Sequence, residues 1–127
     1  MRNRAANAAA ALALLFLLAT LLASQAAATR HIRIDSQVTL SASNPFHGKV
    51  NSSPYGHACR PQRKVKVYNK QPGADGLFGT TTTNQKGRWK MPASANGKFY
   101  ALVKRQEQGT AGTIYVCKKA TSAVVDF

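Results

Sequence analysis

The chain has 127 residues, 44% of them hydrophobic, with 18 Lys and Arg against 4 Asp and Glu and a net charge of +14 with His neutral. That length suits one domain, and basic residues spread along the chain argue against a disordered cationic tail. Two cysteines without ligand spacing make a poor zinc site.

Arg2 and Arg4 precede an apolar run over residues 8–22, and Ser24-Gln25-Ala26-Ala27-Ala28 places small residues where a signal peptidase cuts after Ala28. Residues 1–28 therefore read as a secretory signal peptide. The run is shorter than the roughly 18 apolar residues of a spanning helix. No Cys lies at the cleavage region, and residues 122–127 carry no hydrophobic anchor signal. A secreted or extracellular protein is expected, periplasmic in a cell with two membranes, with no membrane span in its mature form. Without Arg2 and Arg4, 16 cations face Asp35, Asp75, Glu107 and Asp126, a charge of +12.

Residues 29–36 read as a basic leader and residues 37–127 as the folded domain. A short strand is expected over residues 37–41, followed by the turn signal Asn44-Pro45. Residues 46–52 alternate, with Phe46, Gly48 and Val50 on one face and His47, Lys49 and Asn51 on the other. A loop over residues 53–58 leads to Cys59. Residues 64–68 show the cleanest alternation, Val65 and Val67 inward and Lys64 and Lys66 outward. A turn over residues 71–76 follows.

Residues 75–103 read as three strands joined by two turns. Phe78, Thr80 and Thr82 alternate with Gly79, Thr81 and Thr83 in a stretch rich in β-branched residues. Asn84-Gln85-Lys86-Gly87 is a turn. Arg88-Trp89-Lys90-Met91 sets Trp89 and Met91 on one face, and Pro92 ends that strand. Asn96-Gly97 is the strongest hairpin signal in the chain, and residues 99–103 are nearly all apolar, as in a central strand. A polar loop over residues 106–112 leads to a last strong strand over residues 113–117, and residues 123–125 add an edge pairing.

No helical periodicity follows residue 28. Frequent turns between about seven short strands indicate an all-β, seven-stranded, two-sheet sandwich. Its expected core is Val38, Leu40, Phe46, Val50, Val65, Val67, Trp89, Met91, Phe99, Ala101, Val103, Ile114 and Val116. In an exported chain, Cys59 and Cys117 are expected to form a disulfide rather than a metal pair or a catalytic thiol.

The order Phe46-x-Gly48-x-Val50-x-Ser52, Cys59, Arg63-x-Val65-x-Val67-Tyr68, Thr83-x-x-x-Gly87-x-Trp89 and Gly97-x-Phe99-Tyr100-Ala101-x-Val103 resembles the transthyretin-like and carboxypeptidase-regulatory-like domains. The resemblance covers roughly residues 37–120. It implies a prealbumin-type β-sandwich and a mostly non-catalytic role in binding, spacing or folding support. The enzyme branch of that group, the hydroxyisourate hydrolases, ends in a Tyr-Arg-Gly-Ser motif. This chain ends Ala123-Val124-Val125-Asp126-Phe127.

His31, His47 and His57 are scattered, and general-base work needs a His held near a partner. No Gly-x-Ser-x-Gly elbow or phosphate-binding loop is present, and the glycine-rich residues 73–79 lead into a strand. No catalytic, cofactor-binding or metal-binding residue is assigned. Lys64, Lys66, Arg88 and Lys90 are the candidate polyanion-binding residues, because each flanks an inward apolar residue and would share an outer face if their strands lay in one sheet. Export disfavours nucleic acid and favours an anionic cell-surface polymer or glycan. The reading is a secreted, cationic binding or structural module. Its alternatives are a small His-based hydrolase and a cationic effector on anionic membranes. Asn51-Ser52-Ser53 matches the N-glycosylation pattern.

Overall fold

A computed structural model describes residues 27–127, so residues 1–26 of the signal peptide expected over residues 1–28 lie outside the described residues. The elements run β1 (Arg30–Val38), β2 (His47–Ser53), α1 (Gly56–Cys59), β3 (Lys64–Asn69), β4 (Gly76–Thr82), β5 (Arg88–Lys90), β6 (Lys98–Val103), β7 (Gln106–Thr110), β8 (Thr113–Cys117), β9 (Ala120–Thr121) and β10 (Val125–Asp126). They build an all-β architecture of two sheets. Sheet I has the order β5-β2-β1-β8-β7, and sheet II the order β10-β6-β3-β4, with β9 also on β6. β1 and β8 run parallel, and the other ladders are antiparallel.

The inward faces follow from alternation. Val38 faces Val50 in sheet I, and Trp89 faces Gly48. In sheet II, Val65 faces Val103 and Val67 faces Ala101. These residues join Leu40, Phe46, Met91 and Phe99 in one buried cluster. Gly48 is required there, since a Cβ would lie 1.9 Å from the Thr39 carbonyl oxygen and 2.8 Å from the Trp89 ring. Phe46 is the hub of the aromatic packing, with ring centroids 4.9 Å from Phe99, 5.1 Å from Phe78 and 4.7 Å from Phe127.

β4 departs from simple alternation. Val67 faces Gly79 while Tyr68 faces Leu77, so Phe78 is the extra residue of a bulge. The bulge turns Phe78 towards Phe46 and Phe99. Gly79 also takes the core side, where a Cβ would lie 2.7 Å from the Met91 sulfur. Thr80 and Thr82 remain exposed.

Four expectations change. The leader over residues 29–36 is mostly β1, the central strand of sheet I. Ile32, Ile34 and Val38 line one side of it, whereas His31, Arg33 and Asp35 take the other, and these polar residues hid the alternation. The polar loop over residues 106–112 contains β7, an edge strand on which Gln106 and Gln108 donate to the Gln62 and Pro61 carbonyls. Ile114 is half-buried rather than core, because it pairs with His31 at the start of the β1–β8 ladder.

The fourth change concerns residues 75–103. Their three strands are not sequential neighbours: β4 and β6 flank β3 in sheet II, while β5 is the edge of sheet I. Asn96-Gly97 is therefore part of a crossing between sheets and not a hairpin. Gly97, at φ 124°, exchanges two backbone hydrogen bonds with Phe127 and docks the C-terminal residue onto the core.

Candidate functional site: two basic surfaces

At one end of the sandwich the apolar core gives way to a buried cation. Cys59 and Cys117 form a disulfide with Cα atoms 5.4 Å apart. Around it lies a small cluster of Ile34 and Ala58, with Ile32 and Tyr115 packed against it. Arg63 is fully buried beside this cluster. One guanidinium nitrogen donates to the Cys59 carbonyl at 2.8 Å and to Ser36 Oγ at 3.1 Å, and the other donates to the Lys104 and Lys118 carbonyls at 3.0 Å each. Burial lowers its pKa to about 10, which leaves it charged at neutral pH. The sequence carried a signal for this: Arg63 has the same strand parity as Val65 and Val67.

The four candidate polyanion-binding residues do not share a face. Lys64 and Lys66 lie on β3 in sheet II, and Arg88 and Lys90 lie on β5 in sheet I. The turn at Asn84–Gly87 carries the chain from one sheet to the other. Asn84 Oδ1 accepts from the Lys86 and Arg88 N–H groups, and Gly87 takes φ 79° with a hypothetical Cβ only 2.4 Å from the Val50 carbonyl oxygen.

On sheet II the basic surface extends beyond Lys64 and Lys66. Lys66 is opposite Leu102 and Tyr68 is opposite Tyr100 on the β3–β6 ladder. The Lys70 N–H donates to the Lys98 carbonyl at 2.8 Å, which sets those two lysines beside each other. Lys104 follows Val103, the partner of Val65, and so comes beside Lys64. Lysines therefore bracket the Tyr68–Tyr100 pair, whose rings stack with centroids 5.5 Å apart and planes 16° apart. From Lys64 to Lys70 the stripe spans about 20 Å at about 3.3 Å per residue. The close Lys66 ammonium, then desolvation, holds Lys104 below the ordinary lysine range.

Asp75 is the acid at one end of the stripe. It accepts from the Tyr100 hydroxyl at 2.8 Å, the Gln71 N–H at 3.1 Å and Lys70 Nζ at 3.5 Å. The Tyr100 bond leads the causes that depress the Asp75 pKa, and the same bond raises that of Tyr100. Asp126 is opposite Lys98 on β10. Among the described residues, Lys64, Lys66, Lys98 and Lys104 take part in no ion pair.

On sheet I, His47 is opposite Lys90 and Lys49 is opposite Arg88. Lys49 and Arg88, like charges placed opposite each other, repel. Beside them, a groove of about 830 Å³ runs between the β4 and β5 edges, lined by Thr81, Thr82, Thr83, Arg88, Trp89 and Lys90 among others. Among the described residues, the buried indole N–H of Trp89 has no hydrogen-bond partner.

The three histidines sit on separate elements. His31 is on β1, His47 opens β2 with Nδ1 2.8 Å from the Pro45 carbonyl, and His57 is on α1 against Tyr55 and Tyr115. Among the described residues none is hydrogen-bonded to a carboxylate, and no cluster of His, Cys, Asp and Glu has metal-binding form. No helix among them is long and apolar enough to cross a membrane. The disulfide is compatible with an extracellular location. In the sequon, Asn51 is half-buried opposite Gln37, and Ser52 is buried with no partner for its hydroxyl among the described residues.

Comparison of the chain with family models, with curated proteins and with solved structures returned no match.

Proposed function

We propose that this protein is a secreted, disulfide-stapled, non-catalytic module of the transthyretin-like kind that binds an anionic polymer or glycan on the outer face of sheet II. The observation that carries the reading is the stripe of lysines around the stacked Tyr68 and Tyr100. Cations held close together repel, and an anionic chain laid along them relieves that repulsion. Stacked aromatic rings offer a flat apolar surface to a sugar or another planar group. The family assignment draws its support from the order of motifs between Phe46 and Val103, whose apolar members meet in one core.

Titration with heparin, a linear sulfated polysaccharide, tests the reading at low and physiological salt. Replacing Lys64, Lys66 and Lys104 with Ser should weaken binding at least tenfold and flatten its salt dependence, since each lost contact releases fewer counterions. Replacing Arg88 and Lys90 with Ser should have a much smaller effect. Equal losses in the two variants would reduce the stripe to general cationic attraction. Unchanged binding in the triple variant would overturn the proposal.

A further inference from the structure

The two edges that flank the groove are finished differently. On β5, Arg88 and Lys90 turn their backbone groups away from β2, because Val50 and Phe46 bond to Gly87 and Met91 in the alternate positions. Most of these outward groups are satisfied within the chain. The Arg88 N–H donates to Asn84 Oδ1, the Arg88 carbonyl accepts from the Asn84 N–H, and the Lys90 carbonyl accepts from Thr81 Oγ1. The β5 edge is closed.

The β4 edge is open. Thr83 and Arg63 bond through their backbones at the end of the β3–β4 ladder, so by alternation Thr81 and Gly79 face β3 and the N–H and C=O groups of Thr80 and Thr82 face outward. Among the described residues these groups have no partner. β4 reads GLFGTTT, without a charge or a proline. An exposed edge lacking such protection is a template for another strand.

The charges surround this edge. Lys64 is directly opposite Thr82 and Lys66 directly opposite Thr80 on the sheet II side. Arg88 and Lys90 line the groove on the other side, with Lys90 tied to β4 through Thr81. The four cations that share no face thus bracket one strand edge. A strand laid beside β4 would be about 10 Å from β3, two strand spacings, a gap that extended acidic and lysine side chains close. Its opposite face would look into the groove.

We infer that the β4 edge receives an extended acidic polypeptide segment, added as a further strand of sheet II. Backbone hydrogen bonds to Thr80 and Thr82 hold it, and alternate carboxylates meet Lys64 and Lys66 on one side and Arg88 and Lys90 on the other. A second copy of this chain fits the edge poorly, because each copy brings the same cations to the same place. This inference shares Lys64 and Lys66 with the proposed polymer-binding face and differs from it in requiring backbone pairing at β4.

The test uses a synthetic twelve-residue peptide of Glu-Glu pairs separated by Val or Thr, which puts carboxylates on both faces of a strand, and the same peptide N-methylated at every second backbone nitrogen. Calorimetry and amide hydrogen exchange read the result. The unmodified peptide should bind and protect the Thr80 and Thr82 amides, and the N-methylated peptide, with equal charge, should bind at least tenfold more weakly. Thr82→Pro, which removes an amide unused by the β3 ladder, should weaken peptide binding at least tenfold and leave heparin affinity unchanged. Equal binding of the two peptides would overturn the inference, as would peptide binding without protection of those amides. Protection of both amides in the absence of peptide, with a concentration-dependent dimer, would instead assign the edge to a second copy.

Discussion

The sandwich is held together differently at its centre and at the disulfide end. At the centre, Phe46, Trp89, Phe99 and the facing valines fill the space between sheets with apolar volume, and stability comes from area removed from water. At the other end, Ile34 and Ala58 leave little apolar surface, and a covalent bond and one guanidinium take over. The Arg63 acceptors lie at element ends: Cys59 closes α1, Lys104 follows β6 and Lys118 follows β8. Carbonyls at such ends have no ladder partner, and the planar fork of an arginine satisfies several at once. Where strands run out, a polar clamp joins what apolar packing cannot.

Removing apolar volume should have the largest effect. Trp89→Ala is expected to cost about 3–5 kcal/mol, read from the urea unfolding midpoint. Native emission typical of water-exposed indole would contradict the buried position. Next comes the staple. Cys117→Ser should cost about 2–5 kcal/mol, as expected for releasing a long loop, and mass spectrometry of the unreduced protein should show no free thiol. Arg63→Met should cost about 2–3 kcal/mol, the loss of three carbonyl partners at about 1–3 kcal/mol each being partly offset by removal of a buried charge and its desolvation cost. Arg63→Lys should not restore the loss, since an ammonium on a single carbon cannot reach three carbonyls spread across the clamp. A fully stable Arg63→Lys protein would show that the fork geometry is unimportant.

The smallest expected effect lies outside both regions, at Asp75. Its pKa is depressed in the folded protein, so its contribution to stability is complete above the ordinary carboxylate range and fades as pH falls through the lower folded value. Unfolding midpoints from about pH 6 down to pH 2, around the ordinary carboxylate value near 4, should show this decline in the parent. Tyr100→Phe, which removes the leading cause of the shift, should flatten it. An identical pH profile in the two proteins would remove the Tyr100 bond from the account.

Much of the fold was legible locally. Val65-x-Val67 and Arg88-Trp89-Lys90-Met91 announced their inward residues because a strand has a period of two, and all four apolar side chains are buried. Arg63 was legible by the same parity but concealed by its charge, since a cation on an inward position reads as an exception until its carbonyl partners are seen. Phe78 misled because a bulge resets the period, and a bulge is a property of two paired strands rather than of one. β1 was hidden by the polar residues on its outer side.

Residue chemistry by itself determined the β class, the inward residues of β2, β3, β5 and β6, the disulfide partners available and the cationic balance, because each depends on near neighbours or on composition. Sheet membership was decided only by the tertiary structure. Arg88-Trp89-Lys90 follows the β4 stretch after one short turn, yet it crosses to the other sheet, so Lys64 and Lys66 are parted from Arg88 and Lys90. The Lys–Tyr stripe likewise exists only because β3 and β6, far apart in sequence, pair in the register that stacks Tyr68 on Tyr100. Side-chain period is written in one strand. Which strands become neighbours is settled by closing the shared core around Phe46, and that minimum belongs to the whole chain.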